Sequence, residues 1–126
     1  MNSTITVLIE SAYPNHVESA ASKVVSSAQH FGLQSVRNSE KESHIHDFVE
    51  GINFVELLLS GVVGVALSEL VRHLSYRLNE SERNVEVKKD KIRVIQKSRE
   101  RRIELIDIDS GTKVTLIENT TESSSF

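Results

Sequence analysis

His44-Ile45-His46-Asp47 is the one stretch of the chain whose residue types and spacing suit a metal ion. In an extended segment, side chains two residues apart share a side, so His44 and His46 would converge and Asp47 would join or orient a ligand. A zinc site needs three or four ligands, and His16, His30 and His73 lie at no spacing that completes the set. Asp47 reads more simply as the N-cap of a following helix, in a solvated loop. No metal and no cofactor is expected.

Nucleophilic and phosphate chemistry find no better footing. The chain has no Cys, which excludes thiolate catalysis, thiolate zinc sites and disulfide scaffolds. Its five Gly residues are scattered, and Gly61-Val62-Val63-Gly64 lacks the Lys-Ser/Thr that completes a phosphate loop. No Gly-x-Ser-x-Gly elbow occurs. Asp107 and Asp109 flank a turn, where Asp is favoured for its local hydrogen bonds rather than as half of an acid–base pair. The sequence reads as that of a non-enzyme.

Charge offers a second kind of chemistry. The net value of -3 hides a partition: Arg72 to Arg102 holds eleven basic and five acidic residues, the remainder four and thirteen. Cations in the basic 83–102 segment (Lys88, Lys89, Lys91, Arg93, Arg99, Arg101 and Arg102) could neutralise phosphates and release counterions, which makes nucleic-acid binding the alternative reading. Base-stacking platforms need aromatics, and none occurs between Tyr76 and Phe126. Glu82, Glu86, Asp90, Glu100 and Glu104 interleave with the cations, as on a salt-bridged face or one that meets an acidic protein.

The elements that must position these groups follow from hydrophobic periodicity. With 126 residues, 38% of them hydrophobic, the chain suits one domain with one modest core. Thr4 to Glu10 is β-branched and almost continuously apolar, as in a central strand. Asn15 to Phe31 carries an apolar stripe at Val17, Ala21, Val24, Ala28 and Phe31, with Asn15 and Glu18 in a capping-box spacing and Gly32 at the C′ position. Leu33 to Asn38 predicts a short return strand, and strand–helix–strand suggests a right-handed crossover.

Phe48 to Asn79 predicts a long helix. Its second half has a stripe at Leu67, Leu70, Val71, Leu74 and Leu78, while Ile52 to Ala66 is apolar almost all round, so that half must be buried on more than one side. Ser60, Gly64 and Ser68 fall four apart and would let another backbone approach closely. These features nominate Ile52, Val55, Leu59, Ser60, Gly64 and Ser68 as a self-association or partner surface. The uncharged stretch from Leu57 to Ser68, twelve residues long, falls short of the roughly 20 that cross a bilayer, so no transmembrane segment and a cytoplasmic location are expected.

Beyond the helix the period drops to two. Val85 and Val87, then Ile92, Val94 and Ile95, then Ile103, Leu105, Ile106 and Ile108, then Val114, Leu116 and Ile117 mark three or four strands, with a tight turn at Asp109-Ser110-Gly111-Thr112. Residues 1–118 are expected to form a single α/β (α+β) domain: two helices on one face of a mixed four- to five-stranded sheet, in the ferredoxin-like neighbourhood. Val7, Ile9, Val94, Leu105 and Leu116 would meet the helices. Residues 119–126 are expected to be a disordered polar tail.

This order of elements resembles the effector-associated constant component domain of bacterial conflict systems. The likeness rests on strand–helix–strand, then Leu58-Leu59-Ser60-Gly61 opening an apolar helix that runs through Leu74 to Leu78, then Val85-Glu86-Val87 and the Ser110-Gly111 hairpin. The resemblance implies a non-enzymatic adaptor that couples an effector to a signalling or defence assembly, and it carries no catalytic residues. The leading expectation is therefore a protein–protein interaction module that self-associates or recruits an effector.

Overall fold

The computed structural model describes residues 3–38, 52–61, 67–79, 91–108 and 110–120. The elements are β1 (Ser3–Ser11), α1 (Pro14–His30), β2 (Gln34–Asn38), β3 (Asn53–Gly61), α2 (Leu67–Asn79), β4 (Ile92–Lys97), a single 3-10 turn (Ser98–Glu100), β5 (Arg102–Asp107) and β6 (Lys113–Thr120). The strands form one six-stranded sheet in the order β2-β3-β1-β6-β5-β4, and every neighbouring pair is antiparallel. The class is α+β, with six strands instead of four or five and no parallel neighbours. β1 and β2 run parallel only at a distance, because β3 inserts between them.

Both helices lie on the same face of this sheet. The stripe expected on α1 is buried at Val17, Ala21, Val24 and Ala28, and Phe31 packs against its edge; on α2, Leu70, Val71, Leu74 and Leu78 are buried and Leu67 packs against them. Ile5, Val7 and Ile9 of β1, Val55, Leu57 and Leu59 of β3, Ile103 and Leu105 of β5, and Val114 and Leu116 of β6 complete the core. At roughly 1.5–3 kcal/mol per fully buried aliphatic side chain, these contacts dominate the energy of the fold. Val94 is the exception among the expected sheet contacts. It sits on the marginal strand β4 and stays 50% exposed.

α1 starts one residue earlier than Asn15 suggests. Pro14 occupies the first helical turn, where its missing N–H is no loss, and Tyr13 is the N-cap without a side-chain cap bond. The C-terminal reading holds. Gly32 adopts φ +75, its N–H donates to the Gln29 carbonyl at 3.0 Å, and the Leu33 N–H donates to the Ala28 carbonyl at 2.8 Å, a Schellman motif that delivers the chain into β2. Between the helices, Ser27, fully buried on α1, shares a 2.9 Å hydrogen bond with His73 Nδ1 of α2, and the His30 ring stacks on His73.

The long helix expected from Phe48 is the principal correction. Residues 53–61 are a strand, and the helix described in this stretch spans Leu67–Asn79. Val55, Leu57 and Leu59 point into the core while Glu56 and Leu58 point away. Three consecutive leucines hide this alternation, because Leu58 is apolar on the solvent side. Two glycines in the helical alternative would each cost about 1 kcal/mol. Gly61 does serve a close approach, but to the chain itself: a Cβ there would lie 3.3 Å from Leu33 Cα and 2.5 Å from Leu33 Cδ2. The tail boundary also moves, since β6 continues through Asn119, whose Nδ2 donates to Thr6 Oγ1 at 2.8 Å, to Thr120.

Candidate interaction surface

The residues nominated as a helical partner surface do not come together. Val55 and Leu59 are buried under the helices, at 7% and 1% exposure, so neither can meet a partner. Ile52 is half-buried just before β3, Ser60 lies near the end of β3, and Ser68 is exposed on α2. Gly64 lies outside the described residues. The edge of small residues at helical spacing therefore does not form, because a strand and a helix share the span that one helix was expected to fill.

The register defines a different surface. Side chains alternate across a sheet, so residues opposite one another on successive strands form rows on the face away from the helices. One row runs Val36 (β2), Leu58 (β3), Thr6 (β1), Ile117 (β6), Arg102 (β5) and Lys97 (β4). It passes from apolar at the β2 end to cationic at the β4 end. Val36 is 60% exposed and Leu58 40%, and they are direct cross-strand neighbours. In the adjacent row Leu8, Thr115 and Glu104 are buried, although no described helix or strand lies over them. Phe54, Ile95 and Ile106 are half-buried on the same face.

The basic segment partly assembles. Arg93 and Lys97 on β4 and Arg102 on β5 share the face away from the helices, with Arg99 and Arg101 in the connection between these strands. Arg101 takes a left-handed conformation at φ 51, which lets the chain reverse within the short link. Carboxylates accompany the cations. Lys91 lies 3.2 Å from Asp107, Lys97 3.6 Å from Glu104, and Arg102 4.0 Å from Glu100. Lys88 and Lys89 lie outside the described residues.

A cleft of about 340 Å³ opens where α1 meets β2 and β3, lined by Pro14, Val17, Glu18, Arg37 and residues 52–55. Arg37 donates to both carboxylate oxygens of Glu18, at 2.9 and 2.6 Å. These hydrogen bonds hold the Glu18 carboxyl below its ordinary range, against a smaller opposing effect of burial, and raise the Arg37 pKa. The two charged residues that line the cleft are thus paired with each other.

His44, His46 and Asp47 lie outside the described residues, and among the described residues no three potential metal ligands cluster. No helix among them is long and apolar enough to cross a membrane. Comparison of the chain with protein-family models, with curated proteins and with solved structures finds no match.

Proposed function

We propose that the chain is a non-enzymatic protein–protein interaction module that contacts a second copy or an effector through the exposed β2–β3 part of the sheet face away from the helices. The observation that carries this reading is the exposed pair Val36 and Leu58, set side by side on a face that no described element covers. Apolar side chains presented together on an open sheet are a docking feature more often than scattered single ones. The path β1-α1-β2-β3-α2, with β6 returning beside β1, supports reading the fold as a ferredoxin-like core to which the β4–β5 hairpin adds two strands. An adaptor role in a bacterial conflict system rests on the sequence resemblance. One of its motifs, Leu58-Leu59-Ser60-Gly61, opens no helix and lies in β3.

Sedimentation velocity over a range of concentrations tests the self-association arm. Wild-type protein is expected to show a concentration-dependent rise in sedimentation coefficient. The double substitution Val36→Asp and Leu58→Asp, at exposed positions that leave the core intact, is expected to abolish it with an unchanged circular dichroism spectrum. A wild-type protein that stays monomeric throughout, or an association that survives the double substitution, overturns this part of the face as a self-association site.

A further inference from the structure

Strand β4 closes one end of the sheet, and its outer edge meets no described strand. Which backbone groups face outward follows from the register. The Ile108 N–H donates to the Lys91 carbonyl at 2.9 Å, and these two residues stand opposite one another in the register that pairs Ile92 with Asp107. Hydrogen-bonded and non-hydrogen-bonded pairs alternate along an antiparallel ladder. Arg93, Ile95 and Lys97 therefore turn their amides toward β5, while Ile92, Val94 and Gln96 turn theirs outward. The side chains divide on the same count: Arg93, Ile95 and Lys97 lie on the face away from the helices, and Val94 lies on the helix side.

An unpaired edge is a template for another strand, and the charges decide which strand fits. Two β4 strands paired about a two-fold axis at Ile95 would set Arg93 of each copy against Lys97 of the other, and like charges directly opposed are destabilising. The opposite edge, β2, reads Gln34-Ser35-Val36-Arg37-Asn38 and offers no carboxylate, so head-to-tail growth finds no complement either. The cations that guard the edge against copies of itself are complementary to a strand with carboxylates at the same spacing.

We propose that the outer edge of β4 accepts an extended acidic segment of a partner protein by strand addition, with carboxylates four residues apart opposite Arg93 and Lys97. The residue between those carboxylates faces Ile95 and is apolar, and on the other face an apolar side chain covers Val94, which is half exposed. Arg93 makes no ion pair with a described residue, and the Lys97 side chain, 43% exposed beside Glu104, keeps donors for a second carboxylate. Exposed Arg99 prolongs the cationic line past the end of the strand. A peptide is favoured over a nucleic acid because the edge offers a backbone ladder and the described residues of β4, β5 and the link between them include no aromatic ring for a base. This edge lies across the sheet from Val36 and Leu58, so the two surfaces can fail separately.

The test uses the full chain and fluorescence anisotropy of a short labelled peptide containing Glu-Val-Val-Val-Glu. Binding is expected to weaken with salt and to be lost when Lys replaces Glu in the peptide or in the R93E/K97E double variant. N-methylation of the second and fourth residues of the motif, whose N–H groups face β4, is expected to weaken binding by about tenfold or more; the same change at the third residue is expected to be tolerated. The N-methyl arm leaves the protein unaltered, so it reads strand addition even if a variant misfolds. The proposal is overturned by a peptide that does not bind, by equal affinity of the inner N-methylated peptide, or by a single-stranded oligonucleotide that binds the same edge more tightly.

Discussion

Alanine replacement of the consecutive residues Leu57, Leu58 and Leu59, one at a time, separates a strand from a helix at this position. Leu57 and Leu59 are 2% and 1% exposed against the helices, whereas Leu58 is 40% exposed on the opposite face. Removing a fully buried leucine leaves a cavity in addition to the lost transfer energy, so Leu57→Ala and Leu59→Ala should each cost about 2–5 kcal/mol. Leu58→Ala removes a side chain that solvent already reaches and leaves no enclosed void, so about 1 kcal/mol or less is expected. Urea unfolding followed by circular dichroism reads the difference: with slopes of about 1–3 kcal/mol/M, the flanking variants should lose one to several molar in midpoint and the central one a fraction. The expected profile is large, small, large. A helix buried on several sides would place all three residues in the interior, so three comparable losses, or a largest loss at Leu58, would refute the register on which the exposed β2–β3 surface depends.

Gly32→Ala should destabilise by about 1–2 kcal/mol, because φ +75 disfavours any Cβ even though nothing crowds the site; thermal unfolding checks it, and no loss would argue against the Schellman ending of α1. Thr112 is buried and its hydroxyl links Ser110 at 2.8 Å to Ser11 at 3.3 Å, so Thr112→Val should cost about 1–3 kcal/mol and loosen the β5–β6 turn from the end of β1, read by amide exchange in residues 107–113. Arg37 stabilises the ionised form of Glu18, whose folded pKa is therefore depressed. The pair's contribution is complete at neutral pH and is lost as pH falls from the ordinary glutamate range through the lowered value. Both side chains are about half exposed, so Glu18→Gln should cost at most about 1 kcal/mol at pH 7 and nothing in acid, as a comparison of urea midpoints at the two pH values will tell.

The two helical stripes were legible because each repeats over several turns and is flanked by polar residues. Gly32 marked the end of α1 for a physical reason that no other residue satisfies as cheaply. The strands β5 and β6 were legible from period two. What misled was Phe54 to Gly61, where Phe54 and Leu58 put apolar groups on the outward face of the strand and mask the alternation that Glu56 and Ser60 keep. Local sequence cannot separate such a run from a buried helix; the pairing of Leu57 with Val7 on one side and Arg37 on the other is long-range information. The surface was misread in consequence, since Val36 and Leu58 become neighbours only once β2 pairs with β3. The signal that was available is Leu58 itself, the middle of three consecutive leucines and one that a single buried face does not require.

The charge partition seen along the chain becomes a gradient across the sheet, and this restricts how two copies can meet face to face. A two-fold axis along the strands would bring β2 over β4, setting Val36 and Leu58 against Lys97 and Arg102 and burying the cations in apolar surroundings, which is unfavourable. An axis across the strands, centred on the sheet, would set Arg93, Lys97 and Arg102 near their own copies. Only an offset contact, limited to the β2–β3 side, joins Val36 and Leu58 to their equivalents and leaves the cations in water. Even with β1 included, three strands at about 4.8 Å spacing and six residues at about 3.3 Å span roughly 300 Å², well below the roughly 800 Å² per partner of a stable complex. Self-association through this face should therefore be weak and insensitive to salt, whereas docking of an acidic strand on β4 should be strongly weakened by it. Sedimentation and anisotropy measured over the same salt series will separate the two, and a self-association that collapses with added salt would mean that the cationic half, not the Val36–Leu58 pair, forms the contact.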